Sequence, residues 1–63
     1  MVNGKRIEEL MKEKGILGKD MAERVGVSAA MMSYIMSGLR EPNVATLVRI
    51  AKELGVSLDE LVS

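Results

Sequence analysis

The residues best placed to hold a phosphate group are two cations and one hydroxyl at the ends of short helical segments. Lys19 stands at the predicted start of one helix, Ser28 at the start of the next, and Arg40 in the loop that follows. A helix N-terminus also offers backbone N–H groups and a partial positive charge, which suit a phosphate oxygen. The alternative interpretation is solvated surface charge and a serine that only caps its helix.

Between Ser28 and Arg40 the chain carries small and weakly polar side chains. At helical spacing, one face of this segment is apolar and consists of Met32, Ile35 and Met36. The outward face is then formed by Ala29, Ala30, Ser33 and Tyr34. Of these, only Ser33 and Tyr34 carry a polar group, a hydroxyl each, whereas the alanines offer a methyl group alone. The alanines, with Met31 predicted to be exposed, could equally form an apolar patch for a protein partner.

Glycines and capping residues divide the chain into helices. Glycine, which tolerates the left-handed conformation, ends four predicted helices at Gly15, Gly26, Gly38 and Gly55. Polar residues suited to N-capping open three of them: Asn3, Ser28 and Asn43. Ser57 and Glu60 have the spacing of a capping box and predict a very short last helix. No strand is predicted, because apolar and polar residues never alternate over five positions.

The predicted helix at residues 19–25, the turn after it and the helix opened by Ser28 outline a helix-turn-helix. That motif places its second helix in the major groove of DNA. With 63 residues the chain is predicted to be one domain, 1–63. Hydrophobic residues make up 48%, and Tyr34 is the only aromatic residue, so the core must be aliphatic.

Composition argues against several classes of protein. The chain has no cysteine and no histidine, so neither a disulfide nor a metal site is predicted, and no cofactor either. Glu9 and Glu13 are paired carboxylates on an outer helix face without a cleft, and we therefore do not predict an enzyme. The charge density of the first helix excludes a signal peptide, and the longest apolar run has four residues, 29–32. We expect a cytoplasmic protein without a membrane span.

The formal net charge is zero, with 9 basic and 9 acidic residues. This balance counts against a nucleic-acid binder, whose affinity comes largely from neutralising phosphates. A local basic patch can still bind DNA when the acidic residues lie on other faces. Binding is therefore expected to be weak, or to need a dimer.

Several sequence blocks carry a family resemblance at the correct spacing: residues 14–16, 21–28, 35–38, Pro42 and residues 50–61. Together they resemble the Xre-like family of phage and bacterial repressors, of the lambda Cro/CI type, over about residues 6–62. The resemblance implies an all-α, five-helix lambda-repressor-like domain with the helix-turn-helix at helices 2 and 3. It also implies sequence-dependent binding of double-stranded DNA by a small repressor-like transcriptional regulator. The recognition helix would cover about residues 28–37.

The resemblance also implies contact positions and partners. The DNA-contact positions of the family fall on Gly18, Ala29, Ala30, Ser33 and Tyr34. Together with Lys19, Ser28 and Arg40, the residues suited to holding phosphate, they make up the predicted DNA-binding site. A homodimer contact is implied for the C-terminal apolar residues Leu58, Leu61 and Val62, of which some cover the core.

This chain departs from the family at several positions, among them Ala29 and Ala30, where relatives often carry Arg, Gln, Asn, Ser or Thr. Relatives usually have Ser or Thr where it has Leu17, and Gln where it has Gly18, so it lacks a helix cap and a phosphate ligand there unless Gly18 itself serves as a weak cap. Many relatives have a partly buried Arg–Glu pair where this chain has Met11 and Met36. We predict that these two methionines pack against each other, because apolar residues of similar volume can replace a buried ion pair without loss of stability.

The departures leave two other interpretations open. One is a helix-turn-helix scaffold used for protein–protein contact or self-association, with DNA reading weakened or lost. The neutral charge, the glycine at position 18 and the apolar run 29–32 favour it. The other is a DNA-binding fold that has diverged or been redesigned for stability and retains no ligand.

Overall fold

Four α-helices and one short 3-10 helix make up the computed structural model, which describes residues 1–62. The helices are α1 Gly4–Lys14, α2 Gly18–Val25, α3 Ala29–Ser37, α4 Val44–Leu54 and a 3-10 helix at Leu58–Leu61. The predicted all-α class is confirmed: over residues 1–62 the only β-type pairing is an isolated antiparallel bridge between Val2 and Val62. None of the helices in that range is long and apolar enough to cross a membrane.

The three predicted N-caps form as expected. Their side-chain oxygens each accept a hydrogen bond from the backbone N–H three residues on, at 3.0 Å for Asn3, 3.0 Å for Ser28 and 2.8 Å for Asn43. Each bond satisfies one of the backbone donors that a helix leaves without an intrahelical partner at its start. These caps fix where α1, α3 and α4 begin.

The predicted capping box at Ser57 and Glu60 is wrong. The Ser57 side chain makes no cap hydrogen bond. Instead, the Glu60 backbone N–H donates to the Ser57 carbonyl oxygen at 3.2 Å. This is the i to i+3 pairing of a 3-10 turn, and it engages the amide that the serine hydroxyl would have capped. The last predicted helix is therefore a four-residue 3-10 segment.

The core is aliphatic, as the composition predicts. Its buried residues are Ile7, Leu10, Met11, Met21, Ala22, Val25, Met32, Ile35, Leu47, Ile50, Ala51, Leu54 and Leu61. Leu61 is completely buried and belongs to this core. The prediction that Leu61 contributes to a dimer contact is therefore wrong, because a buried side chain is not available to a second subunit.

The N-terminal end of α1 packs directly on the C-terminal end of α3 through Gly4, a position for which no sequence pattern predicts a close contact. Gly4 is buried, and a Cβ placed on it would overlap the carbonyl oxygen of Ile35 and lie 2.9 Å from that of Met36. Only a residue without a side chain allows this approach. Next to this contact, the Asn3 backbone N–H donates to the Leu61 carbonyl at 2.7 Å and joins the two ends of the domain.

Candidate nucleic-acid interface

A three-residue turn, 26–28, joins α2 to α3. Gly26 has φ +78°, in the left-handed region that favours glycine, and it ends α2. The Val27 backbone N–H then donates to the Ala22 carbonyl at 3.0 Å, and the half-buried Val27 side chain packs on the core. Ser28 caps α3 immediately afterwards. Because both helix ends adjoining the turn are hydrogen-bonded, the direction of α3 relative to α2 is well determined.

The two faces of α3 are divided as the sequence predicts, with one exception. Met32 and Ile35 are buried, and the outward side chains Ala29, Ala30, Ser33 and Tyr34 are all exposed. The prediction that Met31 is exposed is wrong: it is half-buried and packs against the core. The nine-residue helix α3 packs against both α1 and α2, so it buries more than a narrow stripe of its surface, and Met31 falls at the edge of that surface.

Two of the four hydroxyl groups from Ser28 to the end of α3 are engaged with the backbone. Ser28 Oγ accepts from the Met31 N–H at 3.0 Å, and Ser37 Oγ donates to the Tyr34 carbonyl at 3.1 Å. No residue of α3 is charged. The hydroxyls of Ser33 and Tyr34 are therefore the polar side-chain groups that α3 presents outward.

Arg40 lies against the end of this outward face. Its guanidinium carbon is 5.8 Å from the centre of the Tyr34 ring, within the range of a cation–π contact. The chain turns back after α3 at Gly38, with φ +82°, and the Arg40 backbone N–H donates to the Tyr34 carbonyl at 3.3 Å. Both residues are among those predicted to contact DNA, but the sequence does not indicate that they meet, because their contact depends on the conformation of the loop.

The start of α2 has no side-chain cap. The N-cap position is Leu17, whose side chain is exposed and makes no cap hydrogen bond. Gly18 is the first helical residue, so the idea that it serves as a weak cap is wrong. Lys19 follows on the exposed surface. The first backbone N–H groups of α2 are thus left without the side-chain acceptor that Ser28 supplies to α3.

Gly18 and Met36 bring the start of α2 close to the end of α3. A Cβ on Gly18 would lie 3.1 Å from Met36 Cε. Beside this contact lies an open, mainly apolar hollow of about 200 Å³, lined by Glu8, Met11, Lys12, Ile16, Leu17, Gly18 and Met36. Met11 and Met36 both line this hollow and therefore lie on the same side of the domain. Their direct packing against each other stays a prediction.

The arginines of α2 and α4 hold these two helices together on another part of the molecule. Arg24 pairs with Glu53 at 3.4 Å, and Arg49 Nη1 donates to the Val25 carbonyl at 3.4 Å. Sequence spacing gave no signal for the Arg49 contact, because it joins residues 24 positions apart. Two of the chain's cations thus stabilise the α2–α4 packing, whereas Arg40 lies against the outward face of α3.

Comparison with known proteins places this geometry in a family. A helix-turn-helix family model matches residues 7–61. An uncharacterised HTH-type transcriptional regulator of Sinorhizobium fredii is 38% identical over 60 residues, which are 95% of this chain and 78% of that protein. The chain belongs to the Xre-like, lambda Cro/CI-type family of helix-turn-helix proteins.

Two solved structures show the same architecture. The P22 c2 repressor, crystallised with a synthetic operator, has a TM-score of 0.92 and 30% identity, covering 100% of this chain and 96% of its own. SinR, crystallised with DNA, has a TM-score of 0.80 and 33% identity, covering 89% of this chain and 90% of its own. SinR comes from Bacillus subtilis and is described as a master regulator for biofilm formation.

Proposed function

We propose that this protein is a small, repressor-like transcriptional regulator that binds double-stranded DNA in a sequence-dependent manner in the cytoplasm. In this proposal α2, the turn at 26–28 and α3 form the helix-turn-helix, with α2 across the DNA backbone and α3 in the major groove. The observation that carries the proposal is the exposed outward face of α3, with the Arg40 guanidinium against its end and Lys19 exposed in the first turn of α2. The P22 c2 and SinR structures, both solved with DNA, support it.

The proposed contacts fall into two groups. Phosphates would be held by Lys19 and Arg40, by the uncapped backbone amides that begin at Gly18, and by the start of α3 at Ser28. Base edges would be contacted by the exposed side chains Ala29, Ala30, Ser33 and Tyr34. The cation–π contact supports the role of Arg40, because it holds a guanidinium beside the end of the proposed recognition helix.

The test is the salt dependence of binding to random-sequence duplex DNA. A protein that neutralises phosphates loses affinity as salt rises, with a log–log slope of about −0.9 for each phosphate neutralised. We expect a slope of about −2, which corresponds to phosphates neutralised by the two cations. Absence of binding at low salt, or binding that does not respond to salt, would contradict the proposal.

The alternative function is a scaffold that binds protein. Two features favour this alternative: the apolar hollow beside Gly18, and the side chain of Leu17, which lines that hollow and is 61% exposed. Failure of the salt test would support this alternative. DNA binding that weakens as the salt concentration rises would leave the protein-binding alternative without support.

We further propose that the active species is a homodimer. Two-fold dimers of helix-turn-helix domains bind half-sites about one helical turn, ~34 Å, apart. Leu61 is buried, so the available C-terminal apolar surface consists of Leu58 and Val62, which are 39% and 41% exposed. A dimer would compensate for the few cations that each subunit offers to DNA.

Sedimentation velocity tests the dimer. We expect a concentration-dependent monomer–dimer equilibrium that Leu58→Asp shifts toward monomer, because the change places a charge in the proposed contact. Leu39→Asp changes a more exposed leucine in the α3–α4 loop and should leave the equilibrium unchanged. A protein that sediments as a monomer at all concentrations would refute the dimer proposal.

A further inference from the structure

The outward face of α3 has little capacity to recognise bases by hydrogen bonding. Guanine is read best by Arg or Lys, and adenine by Asn or Gln, each with two hydrogen bonds. None of these residue types occurs in α3. The hydroxyls of Ser28 and Ser37 are engaged with the backbone, which leaves those of Ser33 and Tyr34. Base recognition must therefore rest largely on contacts of another kind.

The first turn of α3 instead presents two methyl groups. Ala29 and Ala30 are both exposed, directly after the Ser28 cap. The N-terminal residues of a recognition helix are those that contact base edges in the major groove. There, a methyl group on C5 of a pyrimidine is the apolar feature that a base pair displays, and alanine is among the residues that contact it.

We infer that α3 recognises its DNA mainly through the 5-methyl groups of pyrimidines, an inference that rests on the proposed function. Thymine carries this methyl group in ordinary DNA, and 5-methylcytosine carries it at the same position. The small side chains suit this role, because they allow the helix backbone to lie close to the floor of the groove. They suit a protein partner less well, because protein interfaces take most of their binding energy from large aromatic and arginine side chains.

The test compares short alternating A·T duplexes that contain either thymine or deoxyuridine. The two duplexes have the same phosphates and the same hydrogen-bonding groups in the major groove, and they differ in the methyl group alone. We expect binding to weaken about fourfold if replacing thymine by deoxyuridine removes one DNA methyl group from the interface with α3. If it removes two, binding should weaken about tenfold or more. The slope of affinity with salt should be the same for both duplexes, since the phosphate contacts do not change.

A double substitution on the protein side shows whether α3 is the reader. In Ala29→Gly/Ala30→Gly, the preference for thymine over deoxyuridine should fall below about twofold, because both protein methyl groups are gone. Ala45→Gly removes an exposed alanine from the first turn of α4 and should keep the full preference. Since glycine weakens helices, Ala29→Ser/Ala30→Ser provides a second variant that replaces the methyl contact, and circular dichroism verifies the fold of all of them.

A second pair of duplexes distinguishes the two sources of the methyl group. These duplexes alternate G and C, with either cytosine or 5-methylcytosine. A gain in affinity on methylation means that the methyl group is read in either base pair, whereas no gain alongside a thymine preference assigns the reading to thymine alone.

The outcomes separate this inference from the proposed function. Equal affinity for the thymine and deoxyuridine duplexes, with the expected salt dependence, overturns methyl reading and leaves DNA binding in place. A thymine preference that persists in both α3 double variants also overturns it, because the preference would then come from the shape of the duplex. No binding to any duplex at low salt overturns both.

Discussion

Reversing the charge of Lys19 and Arg40 together will weaken binding to random-sequence duplex DNA on the order of 100-fold and leave the helical fold intact. Removing two cations from the phosphates lowers the affinity on the order of 100-fold at low salt and reduces the salt slope by about 1.8. The two glutamates add repulsion from neighbouring phosphates. Both residues are exposed, so the substitutions remove no core packing. Fluorescence anisotropy with a labelled duplex, over a range of salt concentrations, measures both quantities.

The matched control reverses two other exposed lysines, Lys14 and Lys52, at the ends of α1 and α4. The net charge changes by the same amount in both double variants. If the control loses as much affinity as Lys19→Glu/Arg40→Glu, binding responds to overall charge and the proposed contacts are wrong. Retention of full affinity by the Lys19→Glu/Arg40→Glu protein would exclude both residues from the interface.

Replacing Gly4 by alanine will destabilise the domain by about 2 kcal/mol, within the range observed for overpacked cores. The added Cβ meets the carbonyl oxygens of Ile35 and Met36. These are backbone atoms of α3 and cannot move aside as a side chain can, so α1 and α3 must separate. For a domain of this size we expect the Tm to fall by roughly 10 °C. Thermal and urea unfolding, followed by circular dichroism, measure the change in stability.

Gly18→Ala is the matched control, because Gly18 is the first residue of α2 as Gly4 is of α1. The added Cβ would lie 3.1 Å from Met36 Cε, the flexible end of a side chain, which can shift. Alanine also favours helix more than glycine does. We expect a change in stability within about 0.5 kcal/mol. Equal destabilisation by Gly4→Ala and Gly18→Ala would show that the close approach of α1 to α3 is not what Gly4 provides.

The features that were predicted correctly from the sequence are local. Asn3, Ser28 and Asn43 cap their helices because each cap needs only a side-chain oxygen and an amide three residues away. The division of α3 into a buried and an exposed face follows from helical periodicity in the same way. A local prediction can also fail: the capping box predicted at Ser57 is replaced by a 3-10 turn.

The features that were missed depend on contacts between distant parts of the chain. Gly4 touches α3 more than thirty positions away, and nothing in its own neighbourhood distinguishes it from a flexible glycine. The half-burial of Met31 depends on how closely the neighbouring helices approach α3. The contact of Arg40 with Tyr34 depends on the path of the loop after Gly38. Periodicity and capping rules contain no information on such distances.

All of the proposed base contacts require that the segment opened by Ser28 lies in the major groove of the DNA. Backbone amide chemical shifts, recorded by NMR while a short A·T duplex is added at low salt, test this placement directly. We predict that the largest changes fall on residues 18–19, 28–34 and Arg40, with small changes along α4. Changes centred instead on the hollow lined by Met11 and Ile16, or on the 3-10 helix at Leu58–Leu61, would contradict the account.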